Sequence, residues 1–316
     1  MSRVDQSDTA ALSTAAPTAA APTAAAPLLR VTDLRVSTGA ADLVRGVSFE
    51  VGRRGSLGIV GESGSGKSLT CRSILGILPP GLTVANGEII FDGVSLTDLS
   101  YNEWLPLRGN RIAAVFQDPS SYLNPSISVG KQLVEVLRVK SGLGRRAAFT
   151  RAIELFDSMG LRNPEVVFWQ YPFELSGGML QRVLIAIALS GDPDLLIADE
   201  ATTALDVTVQ AEVLDVLSDL KTSRDLALIL VSHDLAVVAQ VCDTVIVMKD
   251  GEIVEAGPTA QVLRDPHHPY TRLLVENHAK YGIEKYLGPL DIPATAAGFP
   301  ATVPVIDSRL EVLADA

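Results

Sequence analysis

Cysteine is nearly missing from this chain: 316 residues hold two, Cys71 and Cys242, far apart and without metal-ligand spacing. That sets aside a disulfide scaffold, a zinc site and an iron–sulfur cluster, and makes a reducing cytoplasm the expected home. Long apolar runs are missing too. The longest, VLIAIALS and LALILVS, are of core-element length, well short of the roughly 18 to 20 residues of a membrane-crossing helix. Nor is there a basic block: the net charge of −11 is spread along the sequence, which points away from nucleic acid as a partner. What remains is 47% hydrophobic and 20% charged, the composition of a globular protein with a sizeable core.

Residues 1–27 are almost all Ala, Thr, Pro and Ser, with a repeated APTAA. A secretory leader needs a basic start and a bulky apolar segment, so a disordered low-complexity tail is expected instead. From Leu28 the texture changes to short β-like segments, LLRVTDLRV, GVSFEV and SLGIV. SLTCRSILGIL follows with helical periodicity, stopped by Pro79, Pro80 and Gly81. GEIIFDG and RIAAVFQ read as strands, 145–160 and 177–190 as helices, and LRNPEVVFWQYP as turn-prone. The last third alternates LLIAD, VTVQAEVLDVLSDL, LALILVS, LAVVAQVC, TVIVM and GEIVEAG, strand with helix, which implies a largely parallel sheet covered on both faces. The expected organisation is a main α/β domain over 28–260, a mainly helical lobe inserted at about 101–175, and a C-terminal extension over 261–316.

Gly61, Gly66, Lys67 and Ser68 in GESGSGKSLT fit G-x-x-x-x-G-K-[ST] between a strand and a helix. In such a loop the backbone N–H groups of Gly61, Glu62, Ser63, Gly64, Ser65, Gly66, Lys67, Ser68 and Leu69 curl toward phosphate oxygens, assisted by the positive end of the helix. Lys67 then reaches the β- and γ-phosphates and the Ser68 hydroxyl ligates Mg²⁺, so a nucleoside triphosphate with Mg²⁺ is the expected ligand. LLIADE is an apolar strand ending in two carboxylates: Asp199 is placed to hold Mg²⁺ and Glu200 to polarise the attacking water.

Three further segments, VFQDP with Gln117, LSGGM with Ser176, Gly177, Gly178 and Met179, and VSHD with His233, complete an ordered set with ALD at Asp206. In that order the set resembles the ATP-binding cassette (ABC) ATPases, over about Leu28 to Arg272. The resemblance implies a P-loop NTPase core with a mostly parallel sheet, an antiparallel β subdomain and an inserted helical subdomain. It implies two subunits closing head to tail on ATP, each nucleotide clamped between one subunit's glycine loop and the other's Ser176–Met179. It further implies that Gln117 senses Mg²⁺ and the attacking water, that His233 holds that water with Glu200, and that Asp206 communicates across the dimer.

FQDPSSYLNP, SGGMLQRVLIAIALS, ATTALDVTVQAEVL and DPHHPYTRLL are similar to the oligopeptide, dipeptide and nickel importer ATPases. That branch implies two integral-membrane permease subunits, a second and different ATPase, indirect work with an extracytoplasmic binding protein, and a peripheral seat on the cytoplasmic face of the membrane. A soluble clamp or scaffold without transport, such as one in phosphonate breakdown, is the competing expectation. Tyr122, Leu123, Asn124, Phe168, Trp169 and Tyr171 offer a docking surface on the lobe, or else its own core. Departures from the family pattern are Thr38 where an adenine-stacking aromatic is usual, Met179 for glutamine, Ala201 for proline after the paired acids, and no cysteine cluster after Cys242. Phe49 is expected in the core, and HPYT as a proline-limited turn starting a helix, more than as a metal site at His267 and His268.

Overall fold

The computed structural model describes residues 26–201 and 207–279. The expected tail, Asp206 and the end of the C-terminal extension lie outside the described residues.

Two sheets carry the fold. The first is antiparallel, in the order β2 (Asp42–Val51), β1 (Leu29–Ser37), β4 (Thr83–Phe91), β5 (Val94–Ser95). The second has six strands in the order β10 (Glu252–Pro258), β9 (Thr244–Lys249), β3 (Ser56–Val60), β8 (Ala227–Ser232), β7 (Leu195–Asp199), β6 (Ile112–Phe116). Its strands pair in parallel except β10, which returns antiparallel on β9.

The continuous apolar strands read from the sequence have a simple cause: both faces of the second sheet are covered. Successive side chains alternate between two cores. Leu57, Ile59, Leu195, Ile197, Ile229, Ile246 and Met248 join the antiparallel sheet and α1 (Lys67–Ile74) on one side. Val60, Leu196, Ala198, Leu228, Leu230, Val245 and Val247 face the helices on the other. Each fully buried Leu or Ile contributes about 1.5–3 kcal/mol, so a one-residue register slip would exchange the two cores. Phe49 is fully buried in the first core, as expected.

Gly58 shows how tightly a helix lies on this sheet. A Cβ there would overlap Val238 of α8 (Leu235–Val241). Overpacking of this kind costs about 1–3 kcal/mol, so Gly58→Ala is expected to lower the midpoint of thermal unfolding by about 3–10 °C. A melting curve superimposable on wild type would show that α8 can retreat freely.

The helices of the inserted lobe are α3 (Val129–Lys140), α4 (Arg145–Ser158) and α5 (Pro164–Trp169), with α6 (Gly177–Ala188) bridging them to the main domain. Three details differ from the sequence expectation. The span expected for the lobe includes β6, which pairs with β7 in the main sheet. The stretch read as turn-prone holds α5, because Asn163 takes a left-handed conformation (φ 54°) and Pro164 supplies the first helical position. Finally, α1 ends at Ile74, before the prolines: Gly76 is left-handed (φ 63°), and a Cβ on it would lie 2.6 Å from the Trp104 ring.

The docking group separates by burial. Leu123 (5% exposed) and Phe168 (3%) belong to the lobe's core, whereas Tyr122 (56%), Trp169 (57%) and Tyr171 remain outside with Phe173. Helical periodicity could not make that division, because it depends on which helices meet.

Both cysteines are buried, and burial raises both thiols well above their ordinary range. Native protein is therefore expected to resist maleimide labelling that goes to completion in denaturant, as read by intact mass. Rapid native labelling of Cys71 would mean that α1 lifts from the sheet.

Candidate active site

The site grows from the carboxyl edge of the parallel strands, where an open α/β sheet places its loops. The register fixes the neighbours. Phe116 pairs with Asp199, Asp199 with Val231, and Val60 with Ser232. The residues that continue from these strand ends, Gln117, Glu200, His233 and Gly61, therefore emerge along one edge.

The glycine loop leaves β3 at Gly61 and enters α1 through Gly66. Gly61 (φ 151°) must lack a side chain, since a Cβ would run into the Met248 carbonyl of β9 and sit 2.8 Å from Ser65 Oγ. Gly66 (φ 99°) is the N-cap of α1 and brings no side-chain cap. The N–H groups of the first turn, at Lys67, Ser68 and Leu69, are thus left without an intrahelical partner. Such an uncapped, glycine-lined helix start fits a phosphate.

Lys67 is buried, and its ammonium donates to the carbonyls of Gly61 (2.7 Å) and Glu62 (2.8 Å). Burial lowers its pKa, and the negative charges of Glu200 and Asp199 oppose that shift. Asp199 is also buried and accepts a hydrogen bond from the Ser68 hydroxyl at 2.9 Å. Burial raises the Asp199 pKa, with the Ser68 bond pulling the other way. A carboxylate and a hydroxyl so paired, at the foot of a phosphate loop, are the hard oxygen donors that suit Mg²⁺.

Glu200 leaves the strand in a left-handed conformation (φ 50°), its N–H bonded to the Val231 carbonyl at 3.1 Å. This turn separates the adjacent acids: Asp199 is the last buried residue of the strand, and Glu200 is half-buried just beyond it. Left-handed backbone costs a non-glycine residue about 1–2 kcal/mol, a strain that persists at a functional turn. Ala201, where proline was usual, is buried behind it.

His233 is exposed between β8 and α8. Its neighbours fix the turn: Ser232 Oγ accepts from the Asp234 N–H (2.9 Å), and Asp234 caps α8 by accepting from the Ala236 N–H (2.8 Å). Gln117 is exposed at the end of β6, just before Asp118 caps a short 3₁₀ turn by accepting from the Ser120 N–H (3.1 Å).

Ser176 to Met179 lie apart, at the start of α6. Ser176 is its N-cap and accepts from the Met179 N–H at 3.3 Å. Gly178 lets α6 approach Val209 of α7 (Val207–Ser223) so closely that a Cβ would overlap its methyl group. Ser176 and Gly177 are exposed, leaving the helix start open to an external ligand, while Met179 turns back onto the core.

Two features were not legible in the sequence. At the position lacking an aromatic, Thr38 forms a tight turn in which its hydroxyl accepts from the Ala40 and Ala41 N–H groups (3.3 and 3.2 Å). And Tyr270, at the start of α10 (Pro269–Ala279), accepts from the Glu62 N–H at 2.9 Å. HPYT does open a helix at Pro269, as expected. No group of three or more His, Cys, Asp or Glu side chains placed to hold a metal occurs among the described residues, His267 and His268 included.

Residues 44–203 match the ABC transporter family. The oligopeptide transport ATP-binding protein OppD of Bacillus subtilis is 48% identical over 77% of this chain and 69% of its own. The metal-staphylopine import system ATP-binding protein CntD of Staphylococcus aureus is 44% identical over 75% of this chain and 88% of its own. Among solved structures, a dimeric ATP-binding cassette bound to ADP and phosphate after hydrolysis superposes with a TM-score of 0.65 at 25% identity, over 73% of this chain and 98% of that one. With its glycine loop, paired acids and strand-end histidine on one sheet edge, and these relatives beside it, the chain belongs to the ABC transporter family as one of its ATP-binding proteins.

Proposed function

We propose that this chain is the ATP-hydrolysing subunit of an importer for peptides or metal chelates, seated peripherally on the cytoplasmic face of the cell membrane. One observation carries the reading: the glycine loop, Gln117, Asp199, Glu200 and His233 emerge along one edge of the sheet in a chain whose relatives are transport ATP-binding proteins. The loop N–H groups after Glu62, through Leu69, and the Lys67 ammonium bind the triphosphate, while the Glu62 N–H is held by the Tyr270 hydroxyl. Ser68 and Asp199, with Gln117, are the residues that would hold Mg²⁺, which when bound neutralises charge on the β- and γ-phosphate oxygens. Glu200 takes the proton as water oxygen attacks the γ-phosphorus, and the bond to the β–γ bridging oxygen breaks to leave ADP and phosphate. His233 holds that water in line.

Ser176, Gly177, Gly178 and Met179 serve a second ATPase subunit's nucleotide, and Asp206 links the two sites. Their exposed helix start and the dimeric solved relative support this pairing. The pairing is with a related but different ATPase.

No described helix is long and apolar enough to cross a membrane, so the work of closure passes to two separate permeases. Exposed Tyr122, Trp169, Tyr171 and Phe173 supply the docking surface, Trp169 under the Lys131 ammonium and Tyr171 stacked on Phe173. An extracytoplasmic binding protein delivers the cargo to those permeases. Affinity purification of the tagged protein in mild detergent from its own cells is expected to bring down two multi-span chains and a second cassette ATPase. Recovery with cytosolic enzymes and no permease would overturn the importer reading.

A further inference from the structure

The C-terminal segment reaches the nucleotide loop through a chain of hydrogen bonds. Glu255, nearly buried on β10, accepts from the N–H groups of His267 (2.8 Å) and His268 (3.0 Å). His268 Nδ1 accepts in turn from the Tyr270 N–H at 3.1 Å, which sets the tyrosine at the head of α10. The Tyr270 ring is buried, with the Lys249 ammonium 5.3 Å from its centre, and its hydroxyl ends on the Glu62 N–H, 208 residues away in sequence. A second strap reaches the loop from the turn between β9 and β10, where the Gly251 N–H donates to the Ser65 carbonyl at 3.2 Å.

Packing alone would be served by phenylalanine, so the oxygen is the informative atom. A phenol is neutral near pH 7, and burial raises the Tyr270 pKa further. A neutral acceptor can fix a loop N–H without repelling a triphosphate, which a carboxylate at the same place could not do. We propose that Tyr270 is a positioning residue of the nucleotide site: its hydroxyl, aligned by Glu255 through the His267–His268 turn, holds the Glu62 N–H so that the rest of the loop is preset to receive phosphates. The C-terminal segment is then part of the ATP site. This rests on the nucleotide-site reading above.

The test is Tyr270→Phe, which keeps the ring and its cation contact. Equilibrium binding of a non-hydrolysable ATP analogue with Mg²⁺ is expected to weaken about 3- to 10-fold, the range for one lost hydrogen bond, with the melting midpoint of the nucleotide-free protein within about 2 °C of wild type. Leu263→Ala, which opens a cavity under α9 (Thr259–Arg264), should instead lower the midpoint and leave affinity unchanged. Glu255→Gln should weaken binding in the wild-type background, and by less when Tyr270 is already phenylalanine. Wild-type affinity in Tyr270→Phe overturns the inference, as does an equal loss of affinity in Leu263→Ala, which would mean that any damage to the extension acts alike. If wild type itself fails to bind the analogue, the nucleotide-site reading falls and takes this inference with it.

Discussion

Glu200→Gln is expected to cut ATP turnover by about 10²- to 10⁴-fold while nucleotide binding persists. The substitution preserves side-chain length and shape, and glutamine tolerates the left-handed backbone at this position (φ 50°) about as well as glutamate does. What it removes is the basicity that the proposed role demands of the carboxylate. The Glu200 N–H still meets the Val231 carbonyl, so the turn that orients Asp199 stays intact. Phosphate release under saturating ATP, measured with binding of the same nucleotide, separates the two effects. Turnover within a few-fold of wild type would remove Glu200 from the role of base, and loss of binding would show that the carboxylate acts on the nucleotide itself.

Lys67→Ala is expected to fail in the opposite way, losing affinity for the triphosphate by about 10- to 100-fold, so that no saturation is reached where the wild type is full. Charge-assisted contacts to phosphate are worth about 1.5–3 kcal/mol, and Lys67 is the cation that the loop encloses. Its ammonium donates to the Gly61 and Glu62 carbonyls, at 2.7 and 2.8 Å, which holds it at the mouth of the loop. The buried position depresses the lysine pKa, so its charge carries a desolvation cost that truncation removes, and the fold is expected to survive the change. Isothermal titration with an ATP analogue reads the loss. Unchanged affinity would count against phosphate binding at this loop, whatever the effect on turnover.

The two variants probe residues from opposite ends of the chemistry, yet both depend on the same sheet edge. That edge was partly legible. Gly61 to Ser68 announces itself because phosphate binding requires glycines, a lysine and a hydroxyl at fixed spacing, all within one strand–loop–helix unit. Asp199 and Glu200 are legible for a related reason, since paired acids at the end of an apolar strand are costly without a task. Their convergence with Gln117 and His233 was implied by the family resemblance alone: physically it follows from the strand order β9-β3-β8-β7-β6, which no local pattern encodes.

The same contrast applies to the lobe. Phe168 and Trp169 are adjacent and both aromatic, but one is buried against Phe149 and the other lies in the open under Lys131. Burial of one and exposure of the other is decided by where α3, α4 and α5 meet, not by composition. Likewise HPYT declares a helix start through its proline, while the reach of Tyr270 to Glu62 spans the chain.

The sequence by itself determined the alternation of strand and helix in the last third, the two-sided burial of the main sheet, the phosphate loop and the paired acids. These rest on local propensity, hydrophobic periodicity and short-range spacing, which are written along the chain. Only the tertiary structure decided that β6 belongs to the main sheet, that Ser68 bonds Asp199, and that the C-terminal segment holds the loop through Tyr270. Those contacts join residues 83 or more positions apart, and they exist because strand order and helix packing bring them within hydrogen-bonding distance, a three-dimensional outcome that no window of the sequence contains.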